Sequence, residues 1–289
     1  MYKYGFRCSF VLAAILLLSA CKKDKPADLK PPPVLTLACR LTNYQTDEDL
    51  GGNGSQFDFS YDSNFLLVQV TAFTLNGNPG VTVKIGPNGV NRDNGSSVTA
   101  WQYQVNIYKE LPSVASYTLA AGSTPQKNIE NYKYDSKKRL QEVDILDATT
   151  FDQIKTIIFT YDDSSNVTSV SSISGNSSAI DVYKATKYDT HPSAYTNIKG
   201  RKFMHWLDWW GLLSANAKYI FDIMSAQNIL EWTHTGFSSD GQVIQTEKAS
   251  FVYDAYTQTG YPANRTESYY INDALKATHK DVYSYAGCY

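Results

Sequence analysis

Four tryptophans offer this chain its most direct means of binding a ligand. Trp206, Trp209 and Trp210 lie close together, and Trp232 follows in a separate segment. An indole presents a flat apolar face and one N–H donor, which suits sugar rings and other apolar ligands. A ligand platform of Trp206, Trp209, Trp210 and Trp232 is therefore one interpretation. The favoured alternative is that the clustered rings pack onto a sheet or fill the mouth of a barrel.

Residues that serve metal binding or catalysis are not arranged for either in this sequence. The four histidines lack the spacing of a zinc site; they are His191, His205, His234 and His279. No Gly-x-Ser-x-Gly elbow or phosphate-binding loop occurs, and the acidic, glycine-rich loop 46–55 lacks the spacing of a calcium-binding EF-hand. We therefore predict no catalytic residue, no metal and no cofactor.

The first 20 residues have the pattern of a signal peptide. Lys3 and Arg7 precede the apolar run 10–18, which is too short to remain as a membrane-spanning helix. The junction Leu18-Ser19-Ala20-Cys21 resembles the lipobox of bacterial lipoproteins, in which the Cys receives diacylglycerol and becomes the mature N-terminus. The resemblance implies lipidation of Cys21 and attachment to a membrane.

The segment after Cys21 predicts an extended tether and a location in the cell. Residues 21–33 are polar and proline-rich and cannot bury a core, so we expect an extended linker. Lys22 follows the anchor, whereas lipoproteins retained in the inner membrane carry Asp there; by resemblance to known lipoprotein sorting this implies the outer membrane, facing either the periplasm or the outside. The formal net charge of −2 argues against a nucleic-acid partner.

Apart from the lipidated Cys21, two cysteines remain in the mature chain, one at each end of the predicted domain. Cys39 and Cys288 would lie in an oxidising compartment. We predict that they pair, which requires the first and last strands to be neighbours. Two separate buried thiols are the alternative.

A repeated unit of strand, turn and strand organises the domain at 34–289. Tyr134-Asp135 and Tyr161-Asp162 each end one strand and open a turn, and Tyr61-Asp62 begins a third copy. Alternation in 101–108 indicates another strand. About 14 short strands follow from such spacing, and they predict an all-β, antiparallel meander that is strongly curved or barrel-like.

One segment instead has helical periodicity. Phe203, Trp206, Leu207, Trp210 and Leu213 fall on one face at 100° per residue, which predicts an amphipathic helix over about 201–214. Trp209 lies at the edge of that stripe. The β-rich composition of 218–223 then predicts that strands resume there.

The repeated unit resembles the YD repeats of Rhs-type proteins, which usually carry Gly at the fifth position. Phe65, Lys138 and Ser165 occupy it in this chain. The whole domain resembles Bacteroidota lipoproteins with a domain of unknown function that is porin-like in fold. The shared features are the lipobox, the scattered Tyr-Asp hairpins and the Gly260-Tyr261-Pro262 element after an aromatic helix.

These observations favour a non-enzymatic role in binding or in structural support of the cell envelope. The lipid anchor makes the membrane one partner, and a glycan or an envelope protein is expected as another. One alternative is a lipoprotein that binds a glycan or nutrient through exposed aromatics. Another is a hydrolase whose site the sequence does not reveal.

Overall fold

The computed structural model describes residues 39–47, 54–74, 79–95, 97–120, 125–175, 180–201, 218–238 and 242–288. They form sixteen strands and one helix. In chain order the elements are β1 Arg40–Thr46, β2 Ser55–Tyr61, β3 Leu67–Thr74, β4 Pro79–Gly86, β5 Gly89–Asp93, β6 Val98–Tyr103, β7 Val114–Ala120, β8 Gln126–Tyr134, β9 Leu140–Asp147, β10 Gln153–Tyr161, β11 Val167–Ser174, β12 Ile180–Pro192, α1 Lys218–Met224, β13 Gln227–Phe237, β14 Val243–Tyr256, β15 Pro262–Ile271 and β16 Ala274–Ala286.

The strands form one closed antiparallel barrel. Each strand pairs with its neighbours in sequence, and β1 pairs with β16 to complete the ring. Next to this closing pair, Cys39 and Cys288 form a disulfide with their Cα atoms 4.6 Å apart. The predicted all-β, barrel-like meander is confirmed. Closure removes the exposed sheet edges that a meander of this length would otherwise present.

The tyrosines of the repeated unit tie each hairpin to the strand before it. Their hydroxyls donate to main-chain carbonyl oxygens on that strand or just before it, namely Tyr61 to Leu41 at 2.8 Å, Tyr134 to Pro112 at 2.7 Å and Tyr161 to Leu140 at 2.7 Å. Each ring spans the neighbouring strand while its polar tip meets a buried acceptor. The repeat therefore holds the wall of the barrel together.

The aspartates of the repeat shape the turns. Oδ1 of Asp135 accepts hydrogen bonds from the main-chain N–H groups of Lys137 and Arg139, both at 2.9 Å, and Asp62 bonds its own turn in the same way. The fifth position is left-handed in every copy, with φ of 62° at Phe65, 60° at Lys138 and 70° at Ser165. This conformation explains why glycine would suit the position.

The strand predicted at 218–223 is wrong, because that segment is part of helix α1. Ile220 and Phe221 are fully buried, and Asp222 pairs with Arg265 of β15. Aromatic and β-branched residues gave the segment a strand-like composition, but packing inside the barrel overrides propensity in so short an element. The helix predicted over about 201–214 lies outside the described residues except for Arg201.

The helix α1 lies at one end of the barrel, which we call the closed end. This is the end at which β1 begins and the Tyr-Asp hairpins turn. Ser193 donates to the main-chain oxygen of Asp222 at 2.6 Å, and Arg201 donates to that of Ile223 at 3.0 Å. We call the opposite end, where β1 ends at Thr46, the loop end. No helix in the described ranges is long and apolar enough to cross a membrane.

Candidate functional site

The inner wall of the barrel changes from apolar to polar along its axis. Buried residues alternate with exposed ones along most strands, so every second side chain faces the interior. Towards the closed end most of these inward side chains are aliphatic or aromatic, although Asn228 and Arg265 are buried there as well. Towards the loop end buried polar residues join them, and they include Thr46, Ser55, Thr99, Asn128, Glu130 and His234. Burying a polar group costs free energy unless the group has a hydrogen-bond partner. A polar group with a partner in the protein can therefore serve the fold, whereas one without a partner is a candidate for ligand binding.

On the β6–β8 part of the inner wall, the polar groups pair with one another. The indole N–H of Trp101 donates to Oε1 of Glu130 at 3.1 Å, and the Tyr132 hydroxyl donates to Oε2 of the same carboxylate. Burial, and then the Glu130 carboxylate, raises the pKa of Tyr132 well above its ordinary value. Tyr132 therefore remains a neutral donor, and this part of the wall is held by its own hydrogen bonds.

On the β12–β15 part of the inner wall, Trp232 is buried without such a partner. Its side chain is 1% exposed, and its ring lies 6.1 Å from that of Tyr183 and 6.3 Å from that of Tyr269. Its indole N–H has no hydrogen-bond acceptor among the described residues. A buried unpaired donor is uncommon in a folded protein and calls for an explanation.

The adjacent strands offer the indole N–H of Trp232 no side-chain acceptor at the positions directly opposite. Ala185 of β12 stands opposite it on one side and Ala249 of β14 on the other. Neither side chain carries an oxygen, and both are small. At Gly236, the inward position four residues further towards the loop end, an added Cβ would lie 3.7 Å from its nearest neighbour, which is ordinary van der Waals contact. The positions beside Trp232 and towards the loop end on its own strand therefore carry small side chains or none.

A polar pair lies beside Trp232 on the loop-end side. His234 stacks on Tyr183 with ring centroids 3.9 Å apart, and its Nδ1 lies 3.5 Å from Oε2 of Glu247. The contact with His234 is the main cause that lowers the pKa of Glu247, with help from Tyr269 and against the opposing effect of burial. Glu247 is therefore a carboxylate near neutral pH.

A buried ion cluster lies closer to the closed end. The guanidinium of Arg265 donates to Asp222 of α1 at 2.9 Å and to Asp281 of β16, and it lies over the Phe251 ring at 4.5 Å. Both carboxylates are almost fully buried. The cluster fixes α1 to the barrel wall, so its chemistry serves the fold.

The structure describes only part of the predicted ligand platform. Trp206, Trp209 and Trp210 lie outside the described residues, as does the predicted lipidation site Cys21. Trp232 faces the barrel interior, and the expectation of an exposed aromatic does not hold for it. Within the described ranges no three His, Cys, Asp or Glu residues are grouped as metal ligands.

The outer wall carries a shallow polar groove across β3–β6. Its volume is about 570 Å³, and it is lined by Gln69, Thr82, Lys84, Asn91, Asp93 and Val98. These side chains all point away from the barrel interior. This groove is an alternative place for a ligand to bind, so variants in it serve as controls for a site on the inner wall.

Comparison with solved structures identifies the fold. A porin-like protein from Bacteroides uniformis aligns with a TM-score of 0.53 and 11% sequence identity, over 85% of this chain and 96% of that protein. A porin-like protein from Bacteroides vulgatus aligns with a TM-score of 0.49 and 10% identity, over 86% and 98% of the two chains. No family model matches the sequence, and no curated protein is significantly similar to it. The first likeness confirms the prediction of a porin-like β fold.

Proposed function

We propose that this chain is an outer-membrane lipoprotein that binds a ligand inside its barrel without transforming it. The observation that carries the proposal is the polar inner wall at the loop end, above an end that α1 and the aromatic core close. A barrel of sixteen strands encloses more space than an eight-stranded one, whose own side chains fill its interior. Polar residues on the inner wall of such a barrel suit a hydrophilic ligand.

The outer wall supports attachment through a lipid rather than through the strands. A barrel embedded in a bilayer presents an apolar band to the lipid. The outward positions of this barrel include exposed charged and polar side chains on many strands, such as Lys84, Asn91, Gln102, Lys133, Lys184, Lys276, Lys280 and Ser284. Such a wall is suited to water, and Cys21 then provides the membrane attachment.

Binding is tested by equilibrium dialysis of the Lys22–Tyr289 protein against a defined mixture. The mixture contains maltohexaose and cellohexaose as neutral probes, trigalacturonic acid as an anionic probe and the glucosamine hexamer as a cationic probe. We expect at least one probe to be retained and recovered at its original mass. Recovery of shortened products would instead indicate a hydrolase, and retention of none would contradict a binding role.

Attachment is tested by replacing Cys21 with Ala in the full chain, expressed in a Gram-negative bacterium. We expect the wild-type protein in the outer-membrane fraction, with a diacylglycerol-modified N-terminal peptide in its mass spectrum. The Cys21→Ala chain should lack that modification and leave this fraction. An unmodified wild-type N-terminus would contradict the anchor.

A further inference from the structure

We infer that Trp232 is the central hydrogen-bond donor of a binding site for an uncharged, polyhydroxylated ligand, that is, a neutral saccharide. The inference deepens the proposed function and rests on it, because it names the ligand class and the part of the wall that receives it. The site consists of Trp232, Tyr183, Tyr269, His234 and Glu247. The inference starts from the buried indole N–H of Trp232, which donates no hydrogen bond to any described residue.

The polar groups of the site decide the charge of the ligand. An unpaired N–H needs an acceptor, and an ammonium group has none to offer. An anion would supply an acceptor, but it would lie beside the Glu247 carboxylate and near Glu267, which is also buried on this wall. A neutral hydroxyl both accepts from the indole and donates to a carboxylate.

The aromatic groups of the site decide the shape of the ligand. The rings of Tyr183 and Tyr269 flank the indole at 6.1 and 6.3 Å. Aromatic side chains supply large apolar faces, and a sugar ring has an apolar face bordered by hydroxyls. The residues directly opposite Trp232 on both neighbouring strands are alanines, whose side chains carry no hydrogen-bonding group.

The surroundings of Trp232 differ from those of Trp101, the other buried tryptophan of the inner wall. Trp101 occupies an equivalent inward position on β6, and Glu130 reaches it from two strands away. Near Trp232 the carboxylate of Glu247 bonds instead with Gln245 and is drawn towards His234. The wall thus has an acceptor in the neighbourhood that it does not use for this N–H.

The test repeats the dialysis with variants of the Lys22–Tyr289 protein. Trp232→Phe removes the N–H and keeps an aromatic ring, and Ala249→Leu keeps the N–H and adds bulk at the position directly opposite Trp232. Trp101→Phe is the matched control on the inner wall, and Lys84→Ala is the control in the outer groove. Near-ultraviolet circular dichroism and thermal melting verify that each variant is folded.

We expect maltohexaose or cellohexaose to bind wild type, Trp101→Phe and Lys84→Ala equally. Loss of one hydrogen bond should weaken binding about tenfold in Trp232→Phe, and Ala249→Leu should weaken it at least as much. Equal neutral-probe binding by Trp232→Phe, loss of binding in Lys84→Ala alone, or retention of only charged probes would overturn the inference and leave the proposed function standing. Retention of no probe by wild type would overturn both.

Discussion

Two buried tryptophans, Trp101 and Trp232, lie in different parts of the same inner wall and can be compared directly. Both side chains are buried, at 6% and 1% exposure, and both lie among tyrosines, with Tyr117 at 5.2 Å from Trp101 and Tyr183 at 6.1 Å from Trp232. They differ in the acceptor, which Trp101 has in Glu130 and Trp232 lacks among the described residues. The same residue type in the same kind of position therefore serves the fold in one case and is the proposed donor to a ligand in the other.

The largest effect is expected from removing the acceptor on the structural side. Glu130→Ala leaves the Trp101 N–H and the Tyr132 hydroxyl without their common partner. The loss of a buried hydrogen-bond acceptor costs about 1–3 kcal/mol for each donor that it served, so the free energy of unfolding should fall by about 2–6 kcal/mol. Urea denaturation with the slope held constant measures the loss. A loss below about 1 kcal/mol would mean that the Glu130 hydrogen bonds do not stabilise the fold, and the difference between the surroundings of Trp101 and Trp232 would then have no energetic basis.

The two Trp→Phe substitutions should differ in stability although they remove the same atoms. Trp101→Phe removes a hydrogen bond to the buried Glu130 carboxylate, whereas Trp232→Phe breaks no hydrogen bond among the described residues. We expect Trp101→Phe to be the more destabilising by about 1–3 kcal/mol in parallel urea titrations. Equal losses would mean that Trp232 has an acceptor after all.

The pH dependence of the free energy of unfolding should differ between the wild type and the Glu247→Gln variant. The pKa of Glu247 in the folded protein is lowered from 4.5. Its contribution is therefore present above pH 4.5 and is lost as the pH falls through the folded pKa. Glu247→Gln should lose less stability than wild type when the pH falls from neutral to below 4.5. Urea denaturation across this pH range measures it, and parallel curves for the two proteins would contradict the paired carboxylate.

The smallest effect is expected in the hairpin that follows β8, the strand that carries Glu130. Lys138 has φ of 60° there, a conformation that glycine adopts at no steric cost. Lys138→Gly should raise the free energy of unfolding by about 0.5 kcal/mol, because the relief of strain exceeds the added unfolded-state entropy. Saccharide affinity should not change. The matched substitution Lys137→Gly, at a turn position without positive φ, should stabilise nothing.

The fold was predictable where local patterns agree with the tertiary structure. Tyr, Asp and β-branched residues at fixed spacing define the hairpins, and a long antiparallel meander must curl or close. The strand predicted over 101–108 fails at its end, since β6 stops at Tyr103. The carboxamide of Asn106 accepts from the N–H of Tyr108 at 3.0 Å and begins a turn instead.

The candidate site was predictable only in part. Trp232 was named from its residue type, but its neighbours come from strands that are distant in sequence. One usable signal was present: His234 is two residues from Trp232 on the same strand, and Glu130 is two residues from Tyr132, so period-two alternation places each pair on one face. Which inward donor has an acceptor depends on the register of neighbouring strands, and the sequence does not define that register.

The indole N–H resonances of the mature protein test the central claim most directly. In a ¹H–¹⁵N correlation spectrum, Trp101→Phe and Trp232→Phe assign the two signals by their disappearance. On titration with whichever neutral hexasaccharide is retained in dialysis, we predict that the Trp232 signal shifts downfield and saturates while the Trp101 signal remains in place. A titration that moves neither signal, or moves Trp101 alone, would contradict the assignment of Trp232 as the donor to the ligand.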